Sequence, residues 1–551
     1  MQVKTSFRND EQFTFLKSKG SFLGKLIYFL FLTLIIIALS QKCNYQVDEI
    51  WTYGLSNQYG SFVLNVSNGE KYEPGEKPFL EFLTVRPEHR FDYANVWYNQ
   101  SNDVHPPFYY LLVHTICSFF PKQFSPWFAG VVNIFFALLT LLVLRKISRF
   151  YLDSSILVDI ISLAYVLSAG ILHSTTFLRM YVVAMFWVTF LTYCFIKRIN
   201  NKFRNEKFFL VITSIVTLLG ALTHYYCLLY SVLMFILYLF YLIIVKKYKE
   251  TSYFCFAMLD TAIITYLIFP AMMYHVFFTN RGQEVLINAK NISDSLTRIK
   301  HFYLIIDQQL FGNMGLILIL TVIALYLYIL KFRKKDLRLH CYSENQKCIS
   351  YIFLCLPAFL YFIVVSKISA FVTDRYLFPI YTITFCAVIF TFVNLLRALR
   401  LPKNVGAIVA IFVLTIITIG SWINCKWEYL YLNSRDLLKE LDAYSPVECV
   451  SVYANNWEIL PLFIESKKYK SIQFISANNG DMVKETGKAL GDISINSNRI
   501  ILSLSGIPAN MHHNYINAFL SKSKRLNSFK RLGSHQFHTS YILYNNLDHH
   551  L

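Results

Sequence analysis

Long apolar runs separated by short polar loops make up most of the chain. Eleven of these runs suit membrane-spanning helices, because about 17 to 25 apolar helical residues cross the hydrocarbon core of a bilayer. The pattern therefore predicts an α-helical polytopic membrane protein. The predicted spans are residues 22–42, 127–144, 155–172, 180–196, 207–223, 227–245, 253–277, 312–330, 350–366, 376–396 and 405–424.

The apolar segment 106–120 has two interpretations. It begins with two prolines and is followed by Pro121, and counting it as a span would reverse the topology of everything after it. Basic residues favour the cytosolic side of a membrane. They cluster in alternate loops, which all lie inside only if 106–120 does not cross. We therefore predict that 106–120 is an interfacial helix. The N-terminus, which carries Lys17 and Lys19, is predicted to be cytosolic, and the C-terminus external. The basic loops are 145–149, 197–207, 246–249, 331–338 and 397–403.

This topology places two large segments outside, the loop 43–126 and the tail 425–551. The tail alternates strand-like and helix-like runs, which predicts a small α/β domain beside a transmembrane domain of residues 1–424. The strand-like runs are Val447 to Ala454, Ser471 to Ser476, Arg499 to Ser505 and Phe537 to Tyr544.

Composition agrees with a membrane protein and argues against nucleic acid as a partner. Hydrophobic residues make up 55% of the chain and charged residues only 15%, where a soluble protein carries about a quarter. The net charge of +19 lies mainly in the short loops, where it orients the chain against an anionic leaflet. We predict a multi-pass protein of the plasma membrane. Cys43, Cys425 and Cys449 fall outside, where one disulfide could form.

Two acidic motifs stand at the predicted outer ends of helices. Asp48 and Glu49 follow the first span and can serve as a general base or as metal ligands, or can simply favour a helix N-terminus. Asp103 and His105 precede the prolines of the interfacial helix. His105 can hold a phosphate oxygen or a metal with Asp103 orienting it, or can be a packing histidine.

Three further motifs carry basic side chains near the same outer ends of the predicted helices. An arginine at membrane depth is costly unless it is paired, and its guanidinium suits phosphate, although snorkelling to the interface is the alternative. Each of the other two motifs fits either a phosphate site or a local structural pair in a tight turn. The three motifs are Arg179 with Tyr181, His224 with Tyr225, and Asp374 with Arg375 and Tyr376.

All five motifs fall on one face of a topology that was derived from loop charges alone. Together they bring carboxylates, histidines and arginines to one outer cavity. Basic groups can neutralise a phosphate, and a carboxylate can remove a proton from an acceptor. The combination fits group transfer from a lipid phosphate.

In order and spacing, these motifs resemble the GT-C superfamily of membrane glycosyltransferases, in particular its protein O-mannosyltransferase and aminoarabinose-transferase-like branch (glycosyltransferase family 39). The match covers about residues 20 to 400. It is carried by Asp48-Glu49, His105-Pro106-Pro107-Phe108-Tyr109-Tyr110, Leu178-Arg179-Met180-Tyr181 and Arg375-Tyr376-Leu377.

The resemblance implies juxtamembrane helices in the first external loop and a polyprenyl- or dolichyl-phosphate sugar as donor. It makes Asp48 the general base, supported by Glu49, or a ligand of a divalent cation such as Mg²⁺ or Mn²⁺. Some relatives have lysine at the positions of His105 or His224. The expected phosphate site is His105, Arg179, His224, Tyr225 and Arg375, with Asp103, Tyr181, Asp374 and Tyr376 in support, and the alternative metal set is Asp48, Asp103 and His105.

The predicted reaction is an inverting single displacement, in which Asp48 deprotonates an acceptor hydroxyl of a glycan, lipid or protein. Two other classes stay open. A lipid-linked-sugar transporter or flippase would show broken helices and paired charges near mid-membrane. A non-catalytic envelope scaffold would use the tail to bind a partner.

Overall fold

The structure is a computed structural model that describes residues 22–152, 154–203, 205–291, 293–332, 341–399, 403–477, 498–523 and 525–546. Lys17 and Lys19, and most of the basic loop 331–338, lie outside these ranges. The described part is a bundle of apolar helices with a mixed sheet packed at one end. The predicted fold class, a polytopic α-helical protein with an α/β tail, is confirmed.

Eight helices of the described ranges are long and apolar enough to cross a membrane, or up to ten when two bent pairs are counted as spans. The predicted eleven spans are therefore not reached. The segment 207–223 forms a helix of 16 residues, about 24 Å long, which falls short of roughly 30 Å of hydrocarbon. The segment 106–120 forms a helix of only 12 residues, as its non-spanning prediction requires.

The helices of the membrane part and of the first loop are numbered in chain order. Helices α2 to α5 all lie within the first loop, which confirms the expectation of short helices there. The bounds are α1 Phe22–Ser40, α2 Val47–Asn57, α3 Lys77–Leu83, α4 Tyr93–Asn102, α5 Phe108–Phe119, α6 Pro126–Tyr151, α7 Ser155–Leu167, α8 Ala169–Thr176, α9 Tyr181–Ile199, α10 Glu206–Ala221, α11 Tyr225–Ile244, α12 Tyr248–Ile268, α13 Ala271–Phe277, α14 Asn280–Lys290, α15 Ser295–Ile306, α16 Gly315–Phe332, α17 Cys341–Ile368, α18 Tyr381–Ala398 and α19 Lys403–Asn424.

Two of the bends in these helices meet each other. Helices α7 and α8 are bent by 51°, and α15 is bent by 86° from α16 after a π-helical turn. A Cβ atom added to Gly170 in α8 would lie 2.7 Å from the backbone oxygen of Gln309 in that turn. Only glycine therefore lets the two bends approach so closely.

The tail carries the predicted α/β fold. Its parallel core has the order β3-β2-β4 and is extended at β4 by the antiparallel hairpin of β6 and β5. All four predicted strands are present, and β5 is an addition. The bounds are α20 Ser434–Tyr444, β2 Val447–Tyr453, α21 Phe463–Ser466, β3 Tyr469–Ser476, β4 Arg499–Ser505, α22 His512–Lys522, β5 Ser528–His535 and β6 His538–Tyr544.

The first loop also contributes to this sheet. Strand β1, Lys71–Tyr72, pairs antiparallel with β3, and Gln473 donates a hydrogen bond to the carbonyl of Gly69. The loop and the tail are thus joined by backbone pairing and share one apolar core. The disulfide considered among Cys43, Cys425 and Cys449 is not formed, since all three thiols are free.

Candidate active site

A cavity of about 470 Å³ opens at the end of the helices that carries the tail. Its polar end holds Asp48, His105, His224 and Arg375, which come from four of the five motifs. An apolar arm continues from this end along α11 and α14. The arm is lined by Leu228, Leu229, Val232, Val276, Val285, Ile368 and Phe371.

The first turn of α2 holds Asp48 in place. The side chain of Gln46 accepts a hydrogen bond from the N–H of Asp48 at 2.5 Å. The side chain of Glu49 accepts one from the N–H of Gln46 at 2.8 Å. This reciprocal capping satisfies N–H groups that no helix can bond internally. The carboxylate of Asp48 therefore projects from a fixed helix start.

Asp48 and Arg375 form an ion pair in the cavity wall, with their side chains 28% and 15% exposed. Burial raises the pKa of the Asp48 carboxyl, but the charges of Arg375 and Arg179 outweigh it and hold this pKa at about 2. The Nε atom of Arg375 has no hydrogen-bond partner among the described residues. The pair is thus charged at neutral pH, and the guanidinium has donor capacity to spare.

Arg179 lies behind the cavity wall, which differs from its predicted place at the phosphate. It is only 2% exposed and does not line the cavity. Its Nη1 donates to the carbonyl of Asp48 at 3.1 Å and to the hydroxyl of Tyr110 at 2.8 Å. In this position Arg179 holds the Asp48 turn and contributes charge to it.

His105 is fixed on both ring nitrogens. Its Nε2 lies 3.2 Å from Nη2 of Arg179, and because a guanidinium only donates, Nε2 is the acceptor. The ring proton is then on Nδ1, 2.8 Å from Oδ2 of Asp103. The orienting role predicted for Asp103 fits this contact. With both nitrogens engaged, His105 presents a ring edge to the cavity and no free nitrogen.

His224 has one nitrogen turned to the backbone and one available. It caps α11, where its Nδ1 accepts a hydrogen bond from the N–H of Tyr226 at 3.0 Å. Burial holds the pKa of His224 well below its usual range, so the ring is neutral and carries its proton on Nε2. Within the described ranges this Nε2 has no partner in the protein. His224 can therefore offer a neutral donor to a bound anion.

Glu49 is fully buried and turns away from the cavity. Its Oε1 accepts the N–H of Leu178 at 2.8 Å and pairs with Nζ of Lys42 at 2.8 Å. Because Leu178 precedes Arg179, this carboxylate ties the start of α2 to the arginine behind the wall. Its geometry suits the supporting role and not that of a second base.

Asp374 positions Arg375 from outside the cavity. It accepts hydrogen bonds from the hydroxyl of Tyr429 at 2.5 Å and from Gln309 at 2.8 Å, and contacts His173 at 3.0 Å. Its supporting role is therefore structural. The predicted supports Tyr181 and Tyr376 line the cavity itself, and so does Tyr225 of the predicted phosphate site.

Sequence reasoning missed several cavity residues on α13, α14 and the turn after α17. His275 lies 2.6 Å through Nδ1 from the hydroxyl of Tyr225. Arg281 stacks on Phe371 with 4.7 Å between the guanidinium carbon and the ring centre. Pro270 lies in the break between α12 and α13. This proline could have indicated that the predicted span 253–277 ends before α13.

The predicted metal ligands do not form a set. Asp48 is paired with Arg375, and Asp103 and His105 bond each other. Across the described ranges no group of three His, Cys, Asp or Glu side chains is placed to hold one ion. The donors present therefore suit an anion better than a divalent cation.

No protein-family model and no curated protein sequence matches the chain. Solved structures similar to it include two of ArnT, a protein of the group that the motifs resemble. ArnT from Cupriavidus metallidurans bound to undecaprenyl phosphate has 9% identity and a TM-score of 0.47, over 94% of this chain and 97% of that chain. The apo state of the same protein has 10% identity and a TM-score of 0.42, over 93% and 97%.

Proposed function

We propose that the protein is a membrane glycosyltransferase of the GT-C type. It transfers a sugar from a polyprenyl- or dolichyl-phosphate donor to an acceptor hydroxyl at the non-cytosolic face of the membrane. The observation that carries the proposal is the two-part cavity. A carboxylate and an arginine line one end, and an apolar arm extends from them along α11. An amphiphile with an anionic head and a prenyl chain fits both parts.

The proposed reaction is a single displacement with inversion at the sugar. Asp48 takes the proton of the acceptor hydroxyl while that oxygen forms a bond to the anomeric carbon. The bond from this carbon to the phosphate oxygen breaks, and its electron pair leaves with the lipid phosphate. Arg375 and the Nε2–H of His224 stabilise the charge that grows on the phosphate.

The ion pair gives donor binding a second effect on the reaction. A carboxylate whose pKa is about 2 is a weak base at neutral pH. When a phosphate draws the guanidinium of Arg375 toward itself, Asp48 loses much of the charge that lowers its pKa. Donor binding thus makes Asp48 a stronger base in the complex that contains the leaving group.

The test is turnover of radiolabelled prenyl-phosphate sugars by purified protein in lipid nanodiscs. We expect wild-type protein to consume at least one donor of a panel with different sugars and prenyl lengths. Asp48→Asn should lower kcat by about a thousandfold or more, as loss of a nucleophile-activating base does. It should still bind the prenyl phosphate.

Asp442→Asn is the matched control, because Asp442 is an exposed carboxylate of the tail that also pairs with a lysine, Lys468. This variant should turn over the donor at the wild-type rate. The assignment of the base fails if Asp48→Asn is as active as Asp442→Asn. The proposed function fails if wild-type protein consumes no donor of the panel.

The broken helices bear on the transporter alternative. In transporters such breaks lie near mid-membrane and form the binding site. Here the π-helical turn places Gln309 against Asp374, at the tail-side end, and the second break lies beside it. The breaks therefore lie beside the site that contains Arg375 and not at mid-membrane. This position favours the glycosyltransferase over the transporter.

A further inference from the structure

The turn of the β5–β6 hairpin contacts the chain just before Asp48. Gln536 occupies this turn, between the paired residues His535 and His538. The turn belongs to the tail and Asp48 to the first loop. The tail therefore contacts the segment that carries Asp48, although no described residue of the tail lines the cavity.

The amide of Gln536 makes two hydrogen bonds to the backbone there. Its Oε1 accepts the N–H of Val47 at 2.9 Å, and its Nε2 donates to the carbonyl of Tyr45 at 2.7 Å. Val47 is the first residue of α2, and its N–H has no acceptor within the helix. The tail thus caps the helix that begins one residue before Asp48.

The hairpin is firmly anchored behind this contact. Glu465 is fully buried and pairs with His538, the first residue of β6. It also accepts hydrogen bonds from Ser540 at 2.8 Å and from Tyr469 at 3.1 Å. A turn held in this way can fix the position of what it touches.

The backbone of Gln536 is held in a conformation that does not favour glutamine. Its φ is +51°, in the left-handed region where glycine, asparagine and aspartate are usual in two-residue turns. A side chain kept at such a position, with both ends of its amide bonded, points to a role for that side chain.

We infer that Gln536 is a positioning residue, which sets the place of Asp48 by capping α2 from the tail. The inference rests on the proposed function, in which Asp48 is the base. The start of the tail reaches the partner of Asp48 as well, because Tyr429 bonds Asp374 beside Arg375. The tail domain is then a part of the catalytic apparatus that lines none of the donor cavity.

Gln536→Gly tests this role without harming the turn, since glycine removes the side chain and relieves the left-handed backbone. We expect kcat to fall by about ten- to a hundredfold, the size of effect that a displaced catalytic group produces. The KM for the prenyl-phosphate sugar should stay within about twofold, because neither Gln536 nor the base Asp48 donates a hydrogen bond to the donor phosphate. The melting temperature should change little, because relief of the left-handed backbone offsets the loss of the two hydrogen bonds.

Hydrogen exchange gives a readout that does not need turnover. In Gln536→Gly, exchange in the peptide 45–57 should be about five- to tenfold faster, as expected for one lost hydrogen bond. Gln536→Glu keeps the acceptor for Val47 and should retain slow exchange, with kcat between the other two proteins. Asn201→Gly is the matched control, because Asn201 has φ of +53° and lies in an exposed loop.

The inference is overturned if Gln536→Gly keeps the wild-type kcat or if exchange in the peptide 45–57 does not change. It is also overturned if kcat falls only in proportion to the folded fraction. A wild-type protein without any turnover would instead sink the proposed function, while the exchange experiment would still decide whether Gln536 caps α2.

Discussion

Two carboxylates, the half-buried Asp48 and the buried Glu465, each pair with a basic side chain, and their surroundings differ. Asp48 shares its pair with Arg375 in the wall of a cavity and keeps 28% of its side chain exposed. Glu465 lies in the tail core with none of its side chain exposed, and contacts His538, Ser540 and Tyr469.

The comparison distinguishes an ion pair that a ligand can reach from one that only stabilises the fold. Burial raises the pKa of each carboxyl, and bonding partners and charges then lower the pKa of both. The direction of the shift therefore does not distinguish them. What distinguishes them is access, because a phosphate or a hydroxyl can reach Asp48 and Arg375, whereas Glu465 is enclosed.

The largest expected effect is on the enclosed carboxylate. Glu465→Ala leaves His538, Ser540 and Tyr469 without their acceptor, and should destabilise the fold by about 3 to 5 kcal/mol. The protein that still folds should bind prenyl phosphate as wild type does. Thermal unfolding and donor binding measure the two quantities, and Glu440→Ala, at an exposed pair with Lys530, should cost less than about 1 kcal/mol. If Glu465→Ala were as stable as wild type, Glu465 would have no supporting role in the fold.

Arg375→Ala should act on the ligand instead. Loss of a charged donor to the phosphate should weaken binding of prenyl phosphate by about 2 to 3 kcal/mol, roughly 30- to 150-fold. Arg375→Lys should lose less, because it keeps the charge. Titration calorimetry in nanodiscs measures both, with Arg86→Ala at an exposed arginine as control. Equal affinities for wild type and Arg375→Ala would place the phosphate elsewhere.

Acid should remove the contribution of the Asp48 pair to stability. The pKa of Asp48 is lowered from 3.8 to about 2 in the folded protein. The stabilisation is therefore fully present above about pH 4 and is lost as the pH falls through about 2. We expect about 2 kcal/mol, measured as the difference in unfolding between wild type and Asp48→Asn at pH 5 and at pH 2. A difference that does not change with pH would show that the pair does not stabilise the fold.

The smallest effect is expected behind the cavity wall. Asp103→Asn loosens the ring of His105, which in turn contacts Arg179, and should lower kcat by about tenfold or less. Donor affinity should change by less than about threefold, since neither nitrogen of His105 faces the cavity. Steady-state kinetics beside the Asp442→Asn control measure this. A large loss of donor affinity would mean that His105 meets the phosphate directly.

The sequence was sufficient to place Asp48 and Arg375 together, although they are 327 positions apart. Each stands where a predicted span meets an external segment, and loop charges put both on one side. Membrane topology therefore reduces a three-dimensional question to the side on which a residue lies. The same logic cannot tell a cavity wall from the layer behind it, which is why Arg179 was expected at the phosphate.

Residues brought in by tertiary packing were beyond the sequence pattern. Arg281 lies on the short helix α14, in a segment that the pattern predicts as a loop after the span 253–277. In the sequence only Pro270 indicates that this span is interrupted. Strand β5 was missed because Ser528–His535 is mostly polar and half exposed, without the alternation that marks a strand. Gln536 has no local signal at all, since its partners Tyr45 and Val47 lie far earlier in the chain.

Strand β1 has a consequence for how the protein is made. Gly69 reaches its bonding partner Gln473 across 404 positions. At about 5 to 20 residues per second, a ribosome needs roughly 20 to 80 seconds to supply that partner after the first loop has emerged. The loop that bears Asp48 must therefore stay unpaired with β3 until residue 473 has been synthesised. The surroundings of Asp48 would thus be completed long after its own segment has been synthesised.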